Sequence, residues 1–454
     1  MIFDQYNVNE QGRLVVAGCD TAELAKAYGT PLYVMDGERL RQNCRDFKTA
    51  IDKHCGGRGK VFYAVKALCC KEICRVVVEE GLGLDTLSGG ELYTAQKAGV
   101  DAADICFEGN YKTPQELEMA VSAGVFRIVV DSFAELEQLN EICLKLGKKQ
   151  DILLRIKPGI DTHTFEAVRT ANIDAKFGFT LETDSAGLPA SAGNLDGAGL
   201  PTSVGNLGEA MEAANAAAAC KGLCLRGLHC HLGSQLLSLS SYIMAAEVMM
   251  DFYSDVQTGL GITMTDLDMG GGLGIEYKGD ENVPTIDEFI GTAVGAVKDK
   301  CKALGIDMPF IMFEPGRAIV GSAGMTLYTA GVIKQNPGKN YVLVDGGMCD
   351  NPRYALYKSP YTVLNASKAD KPAGFTATIA GRTCESGDMI QEGVALPRPE
   401  TGDLIAVLAT GAYNYSMSIS YNRLPKPAMI MIEKGQPRLI VRRETLDDII
   451  DTDI

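Results

Sequence analysis

The sequence predicts an α/β plus all-β protein, a (β/α)8 TIM-type barrel with a second, β-sandwich- or β-barrel-like domain. Three observations predict it. Eight apolar strand-like runs each end in a polar or glycine-rich motif. Helix-like stretches such as 72–80 and 241–258 separate them, the alternation that builds parallel βα units. Beyond Arg317 the texture changes to short β-type runs punctuated by Gly and Pro. Length alone suggests about three domains at ~150 residues each, but a barrel takes up about 250 residues as one unit, so two is the better count.

In chain order, residues 1–35 hold a strand-like piece at 13–16, a helix-like piece at 21–28 and a second strand-like piece at 32–35. They are expected to join the β domain or to bridge the two domains. The barrel is set at 36–317, with strands at 61–66, 84–88, 105–110, 128–132, 152–156, 225–231, 267–273 and 310–317. Between the fifth and sixth runs lies a glycine-rich stretch, about 185–219, with an imperfect repeat at 187–195 and 199–207. Its small residues predict a surface insertion with little core of its own. The β domain is set at 1–35 plus 318–454, with strand-like runs at 326–334, 341–344, 376–380, 404–409 and 429–433.

The balance of 43 basic against 58 acidic residues gives a net charge of −15. That argues against nucleic acid or an anionic membrane as the main partner; it mostly favours solubility and says little about the substrate. No run reaches the ~18 apolar residues of a membrane span. The N-terminal Met1-Ile2-Phe3-Asp4-Gln5 has neither a basic region nor an apolar stretch, and the fourteen cysteines are scattered through helix- and strand-like segments. A reducing, cytoplasmic setting with mostly buried thiols is expected.

In barrels the loops at the C-terminal ends of the strands build the active site. Lys66 ends the first run in Tyr63-Ala64-Val65-Lys66. Desolvation there would lower its proton affinity and favour the neutral amine that condenses with an aldehyde; an ion pair, or an aldolase-type lysine, is the other reading. Gly270-Gly271-Gly272-Leu273-Gly274 ends the seventh run. Its spacing is wrong for a dinucleotide fingerprint, whereas bare N–H groups after strand seven match a barrel phosphate site. A tight turn alone stays open. Glu314-Pro315-Gly316-Arg317 ends the eighth run. There Arg317 would balance a phosphate or carboxylate and Gly316 admits close backbone approach. Glu314, beside a pyridine nitrogen, would favour the protonated ring; a surface salt bridge between Glu314 and Arg317 is the plain alternative.

His229-Cys230-His231 ends the sixth run, followed by Gly233-Ser234-Gln235. Residues i and i+2 share a strand face while Cys230 points away, leaving too few ligands for structural zinc, and no metal is expected. One imidazole is suited to stack on a flat ring, with Ser234 donating to a phosphate. In the β domain, Cys384-Glu385-Ser386-Gly387-Asp388 joins a potential proton donor to carboxylates, and Arg353 and Tyr357 follow Asp345-Gly346-Gly347. Periodicity alone does not aim these groups at the barrel.

Taken together, the motifs resemble those of the fold-type III pyridoxal-phosphate decarboxylases, and within them the diaminopimelate decarboxylase family. The ordered set runs from Tyr63-Ala64-Val65-Lys66-Ala67 through Leu87-Ser88-Gly89-Gly90-Glu91, Gly109-Asn110-Tyr111-Lys112-Thr113, Gly227-Leu228-His229-Cys230-His231 and Glu314-Pro315-Gly316-Arg317 to Gly411-Ala412-Tyr413-Asn414-Tyr415. The resemblance implies pyridoxal 5'-phosphate held by Lys66, decarboxylation of meso-2,6-diaminopimelate to L-lysine, and a homodimer with shared active sites. It implies that His229 faces the cofactor ring, Glu314 meets its nitrogen, and Ser234, Gly271, Gly272, Gly316, Arg317 and Tyr413 surround it. Arg317, Arg353, Tyr357 and Tyr413 would take the substrate, Glu385 its distal amine, and Cys384, from the partner subunit, would donate the proton.

The chain departs from the family pattern in two places. Leu68 stands where Asn usually follows Lys-Ala, and the 185–219 stretch is unusually long. Same-fold decarboxylases of ornithine, arginine or carboxynorspermidine are the nearest alternatives. Ornithine and arginine lack a distal carboxylate for Arg353 and Tyr357 to bind, and those enzymes resemble one another through Cys-Asp where this chain has Cys384-Glu385. A racemase would need a second base opposite the lysine, and a non-catalytic cofactor-binding regulator would have no need of Lys66 and Cys384.

Overall fold

The computed structural model describes residues 5–160, 175–181 and 208–454. Eight parallel strands form a closed ring: Gly59–Ala64, Gly83–Thr86, Ile105–Phe107, Arg127–Val130, Gln150–Lys157, Leu223–His229, Asp266–Asp268 and Phe310–Phe313. The eighth pairs back onto the first, Phe313 opposite Val61. All eight coincide with the apolar runs in the sequence. A two-residue strand, Phe179–Thr180, lies beside the fifth.

Alternation along these strands makes the site. Side chains two residues apart share a strand face. A lower inward layer of Phe62, Cys106, Val129, Leu153 and Met312 forms its own apolar cluster inside the ring. Two residues further on in the same strands come Glu108, Asp131, Arg155 and Glu314, joined by Asp85, His229 and Asp268 from the other strands, all buried. The barrel therefore passes from an apolar plug to a charged mouth within one pleat.

Helices start where the strand ends supply caps. Ser88 accepts from the Glu91 N–H ahead of Gly89–Lys97, and Ser132 from that of Glu135 ahead of Phe133–Leu146. Thr113 and Glu116 form a reciprocal capping box with Pro114 in the first turn. Such side chains satisfy N–H groups that the helix leaves unpaired.

The second sheet has the order Met389–Leu396, Phe375–Ala380, Lys339–Val344, Gly324–Asn336, Leu32–Asp36, Ala428–Glu433, Gln436–Val441. Gly324–Asn336 spans it: its first half pairs with Leu404–Leu408 and Leu32–Asp36, its second with Lys339–Val344. The piece read at 32–35 thus joins this sheet before Asp36 caps the helix Gly37–Cys55.

Three sequence expectations are corrected. The first strand stops at Ala64, and Lys66 sits in a tight turn, Val65–Ala67. Arg317 opens a short helix, Arg317–Val320, after the eighth strand. The end of the supposed coreless insertion is a helix, Glu209–Ala219, that buries Ala210, Ala213, Ala214 and Ala217: alanine is the best helix former and packs closely. Residues 185–207, with the repeat, lie outside the described residues.

Candidate active site

The turn after the first strand presents Lys66 to the third. Its Nζ lies 2.8 Å from Glu108 Oε1 and 3.8 Å from Asp85 Oδ2. Glu108 in turn lies 3.4 Å from Arg155 Nη1 and 3.5 Å from His229 Nε2. His229 is fully buried and sets Nε2 3.0 Å from Glu314 Oε2, while its Nδ1 has no hydrogen-bond partner among the described residues. Ligand atoms of Glu108, His229 and Glu314 fall within 4.8 Å of one another, and the Glu108 carboxylate among them also faces the Lys66 and Arg155 cations.

The buried charges sort themselves by neighbour. Burial raises every carboxyl here, and for Glu108 the cations Lys66 and Arg155 outweigh it, holding its carboxyl well below the usual range. Glu314 is pushed up to about 8 by burial and then by the Glu108 charge. Asp85 and Asp268 are raised well above their ordinary values, chiefly by burial. Burial also lowers His229 and, more strongly, His231. For Lys66 the sequence expectation is reversed. Burial does push the amine down, but Glu108 and Asp85 together outweigh it, so Lys66 is an ammonium in this state.

Around this pocket the glycines leave room for little but backbone. A Cβ on Gly271 would overlap the Glu314 carbonyl oxygen, one on Gly272 would lie 2.6 Å from the Gly233 carbonyl oxygen, and one on Gly316 would lie 3.1 Å from the Ala67 methyl. Gly272 also has φ +111, which side chains rarely adopt. The Gly271 N–H donates to His231 Nδ1 at 3.2 Å, and its carbonyl accepts from Tyr242 at 2.9 Å.

Arg317 reaches Ser234 Oγ at 2.7 Å and the Tyr277 hydroxyl at 2.6 Å, and it lies 4.9 Å from the Tyr413 ring centroid. Arg353, buried in the second half of the chain, reaches the same Tyr277 hydroxyl at 2.9 Å and that of Tyr361 at 3.0 Å. Burial pushes the Tyr277 phenol up, but the two guanidiniums outweigh it and hold the phenol below its ordinary value. Tyr413 is tied in by its N–H donating to the Ala67 carbonyl at 2.7 Å, and the Cys69 N–H donates to Ser416 Oγ at 2.9 Å.

Lys66, His229, Ser234, Gly271, Gly272, Glu314, Gly316, Arg317, Arg353 and Tyr413 thus gather at one end of the barrel. Three predicted residues make no hydrogen bond with them among the described residues. Tyr357 is half-buried at the end of the helix Arg353–Tyr357, and Tyr361 supplies the hydroxyl on Arg353. Cys384 and Glu385 are exposed; the Cys384 N–H donates to Asn422 Oδ1 at 2.8 Å, and Glu385 accepts from the Gly387 N–H at 3.1 Å. Of the fourteen cysteines, all within the described residues and all free, Cys384 alone is exposed. Sequence reasoning missed Glu108, Asp85, Arg155, Tyr277 and Tyr361. For Glu108 the signal was its place two residues beyond Cys106 on the inward face.

Comparison with known proteins accords with this geometry. Residues 38–205 and 202–321 match the family described as "Pyridoxal-dependent decarboxylase, pyridoxal binding domain". A diaminopimelate decarboxylase from Bacillus subtilis is 39% identical over 447 residues, covering 98% of this chain and 96% of the relative. The chain belongs to the diaminopimelate decarboxylase family. That family's Synechocystis member is 37% identical over 98% of this chain and 91% of its own. The crystal structure of the M. jannaschii diaminopimelate decarboxylase in complex with L-lysine superposes with a TM-score of 0.88 at 33% identity, covering 100% of this chain and 98% of the other. A lysine/ornithine decarboxylase from Vibrio vulnificus shares the fold at 20% identity and TM-score 0.71, over 91% of this chain and 97% of the other. Membership in this family of pyridoxal-dependent enzymes makes pyridoxal phosphate the cofactor.

Proposed function

We propose that this enzyme decarboxylates meso-2,6-diaminopimelate to L-lysine and CO2. The observation that carries the substrate is the pair of guanidiniums, Arg317 and Arg353, sharing the Tyr277 hydroxyl at 2.6 and 2.9 Å. A substrate that loses one carboxylate and keeps another needs a buried cation for the one it keeps, and buried charges require partners. Ornithine and arginine would bring Arg353 no carboxylate, leaving it only the Tyr277 and Tyr361 hydroxyls.

The residues fit the cofactor. Lys66 has an amine at the mouth, Gly271, Gly272 and Gly316 form a cradle closed to side chains, and His229 Nδ1 is buried with no partner among the described residues. Bound pyridoxal phosphate supplies the sink for the electron pair left when CO2 departs. On this reading Lys66 holds the cofactor, and Ser234, Arg317, Tyr413 and the glycines bind its phosphate. Glu314, with its raised proton affinity, shares a proton with the ring nitrogen, and His229 orients that carboxyl. Arg353 and Tyr357 hold the distal carboxylate, Glu385 the distal ammonium, and Cys384 Sγ delivers a proton to the carbon that lost CO2.

Because Cys384 and Glu385 are exposed within one chain, this assignment includes a homodimer in which each subunit completes the other's site. Fourteen free thiols favour a reducing, cytoplasmic setting, and no helix among the described residues is long and apolar enough to cross a membrane.

The test is CO2 release and lysine formation from meso-diaminopimelate, with ornithine, arginine and carboxynorspermidine in parallel. Preference for any of these three would overturn the assignment. Arg353→Ala is expected to raise KM for diaminopimelate by roughly 10- to 150-fold, the ~1.5–3 kcal/mol of a charged hydrogen bond, and to leave residual turnover of ornithine unchanged. Equal effects on both substrates would remove Arg353 from the carboxylate site.

A further inference from the structure

We propose that Glu108 is the positioning residue for Lys66. Its carboxylate holds the lysine as an ammonium whenever that side chain is not bound to cofactor, and so sets the pH at which cofactor is taken up. The inference rests on the reading of Lys66 as the cofactor lysine.

Glu108 is only 2% exposed, and its place is set by the sheet rather than by a loop: its N–H donates to the Thr86 carbonyl at 2.9 Å, one step beyond the third strand. From there Oε1 meets Lys66 Nζ at 2.8 Å, and Oε2 faces Arg155 at 3.4 Å and His229 at 3.5 Å. The other groups facing Lys66 are Asp85 at 3.8 Å, and Tyr413, Glu314, Glu91, His229 and His231 through the field alone. His231 adds to the field on Glu108. Asp85 and Glu314 are buried with their proton affinity raised, whereas Glu108 faces two cations. Among the carboxyls within 4 Å of the amine, Glu108 is thus the one built to stay ionised.

This matters at two moments. An amine must be neutral to attack an aldehyde, so the Glu108 charge raises the pH needed for loading. When a substrate amine takes the cofactor from Lys66, one carbon–nitrogen bond forms and one breaks. The bond exchanged is a carbon–nitrogen double bond, so the substrate's ammonium gives up its N–H hydrogens as its own double bond forms. These pass to Lys66 Nζ as the lysine's bond breaks, leaving an ammonium that faces the Glu108 carboxylate. So paired, the lysine cannot attack again while CO2 leaves.

The experiment follows pyridoxal phosphate uptake by cofactor-stripped, full-length enzyme from pH 6 to 10, by visible absorbance and by mass spectrometry of the borohydride-fixed adduct. In Glu108→Gln the inflection of the uptake rate is expected to move down by about 1–3 pH units, the range an adjacent opposite charge commands. Glu108→Asp, with the carboxylate drawn back by one methylene, should move it the same way but less, and it decides the matter if the Gln variant does not fold. A merely structural role would lower Tm and slow uptake at every pH without moving the inflection, and that result overturns the proposal. If the wild-type adduct is not on Lys66, the cofactor-lysine reading falls as well; an adduct on Lys66 with an unmoved inflection sinks this inference alone.

Discussion

At Glu314 the protein holds a carboxyl at about 8 against an ordinary 4.5, chiefly by burying it, and Asp350 is raised to about 7 by the same cause. The folded chain therefore binds protons over this range that the unfolded chain has released, so these groups contribute stability that is full below their ordinary values of 4.5 and 3.8 and lost as pH rises through 8 and 7. Glu108, held low, acts with the opposite sign, but its loss comes only as pH falls through its depressed range. His229 and His231, lowered by burial, act the other way only up to about 6.5, where the unfolded imidazoles lose their proton. The Tm of cofactor-free enzyme should accordingly fall between about pH 6.5 and 8, and Glu314→Gln should flatten part of that fall. A scanning-calorimetry series with Tm rising over this interval would contradict the burial account.

At the scale of elements, the sixth strand is held close to the seventh by a glycine. A Cβ on Gly227 would overlap the Asp266 carbonyl of the neighbouring strand, and overpacking of this kind costs about 1–3 kcal/mol or more. Gly227→Ala should lower the urea midpoint and displace His229, two residues on; an unchanged midpoint would show that the strands part freely. The strands were legible because each is a short apolar run with a polar end. The limits of that reading are physical. The turn at Val65–Ala67 has the same apolar character as the strand before it, so Lys66 read as strand. Glu108 fell inside the run read as strand at 105–110, where the period-2 pattern from Cys106 points it inward, but nothing local marked it as the partner of Lys66, 42 residues away. Tyr277 carried no signal, because it matters only through guanidiniums 40 and 76 residues away in sequence, and Tyr361, though close to Arg353, lies in a connection with no periodicity to aim it. The reversed Lys66 charge was likewise out of reach, since burial was visible in the sequence but its carboxylate neighbours were not.

For the whole molecule, the exposure of Cys384 makes a specific demand. Lys66→Ala and Cys384→Ala should each be nearly inactive, yet if subunits of a two-fold dimer share sites, a hybrid holds one intact site. Random re-association of equal amounts should then restore roughly a quarter of wild-type activity, half the dimers being hybrids with one of two sites whole. No recovery in dimers shown to have exchanged would mean that each chain completes its own site. Two hydrogen bonds described above bear on the single chain as well. Tyr413 holds the Ala67 carbonyl, and Ser416 holds the Cys69 N–H, so the turn bearing Lys66 is sewn to a loop that follows the strand Leu404–Leu408. The barrel and the sheet half thus meet in a seam three residues or fewer from Lys66. Heating should therefore release cofactor and loosen the sheet half as one event, and a graft of the sheet half from another decarboxylase would have to carry a matching seam before it could carry a new specificity.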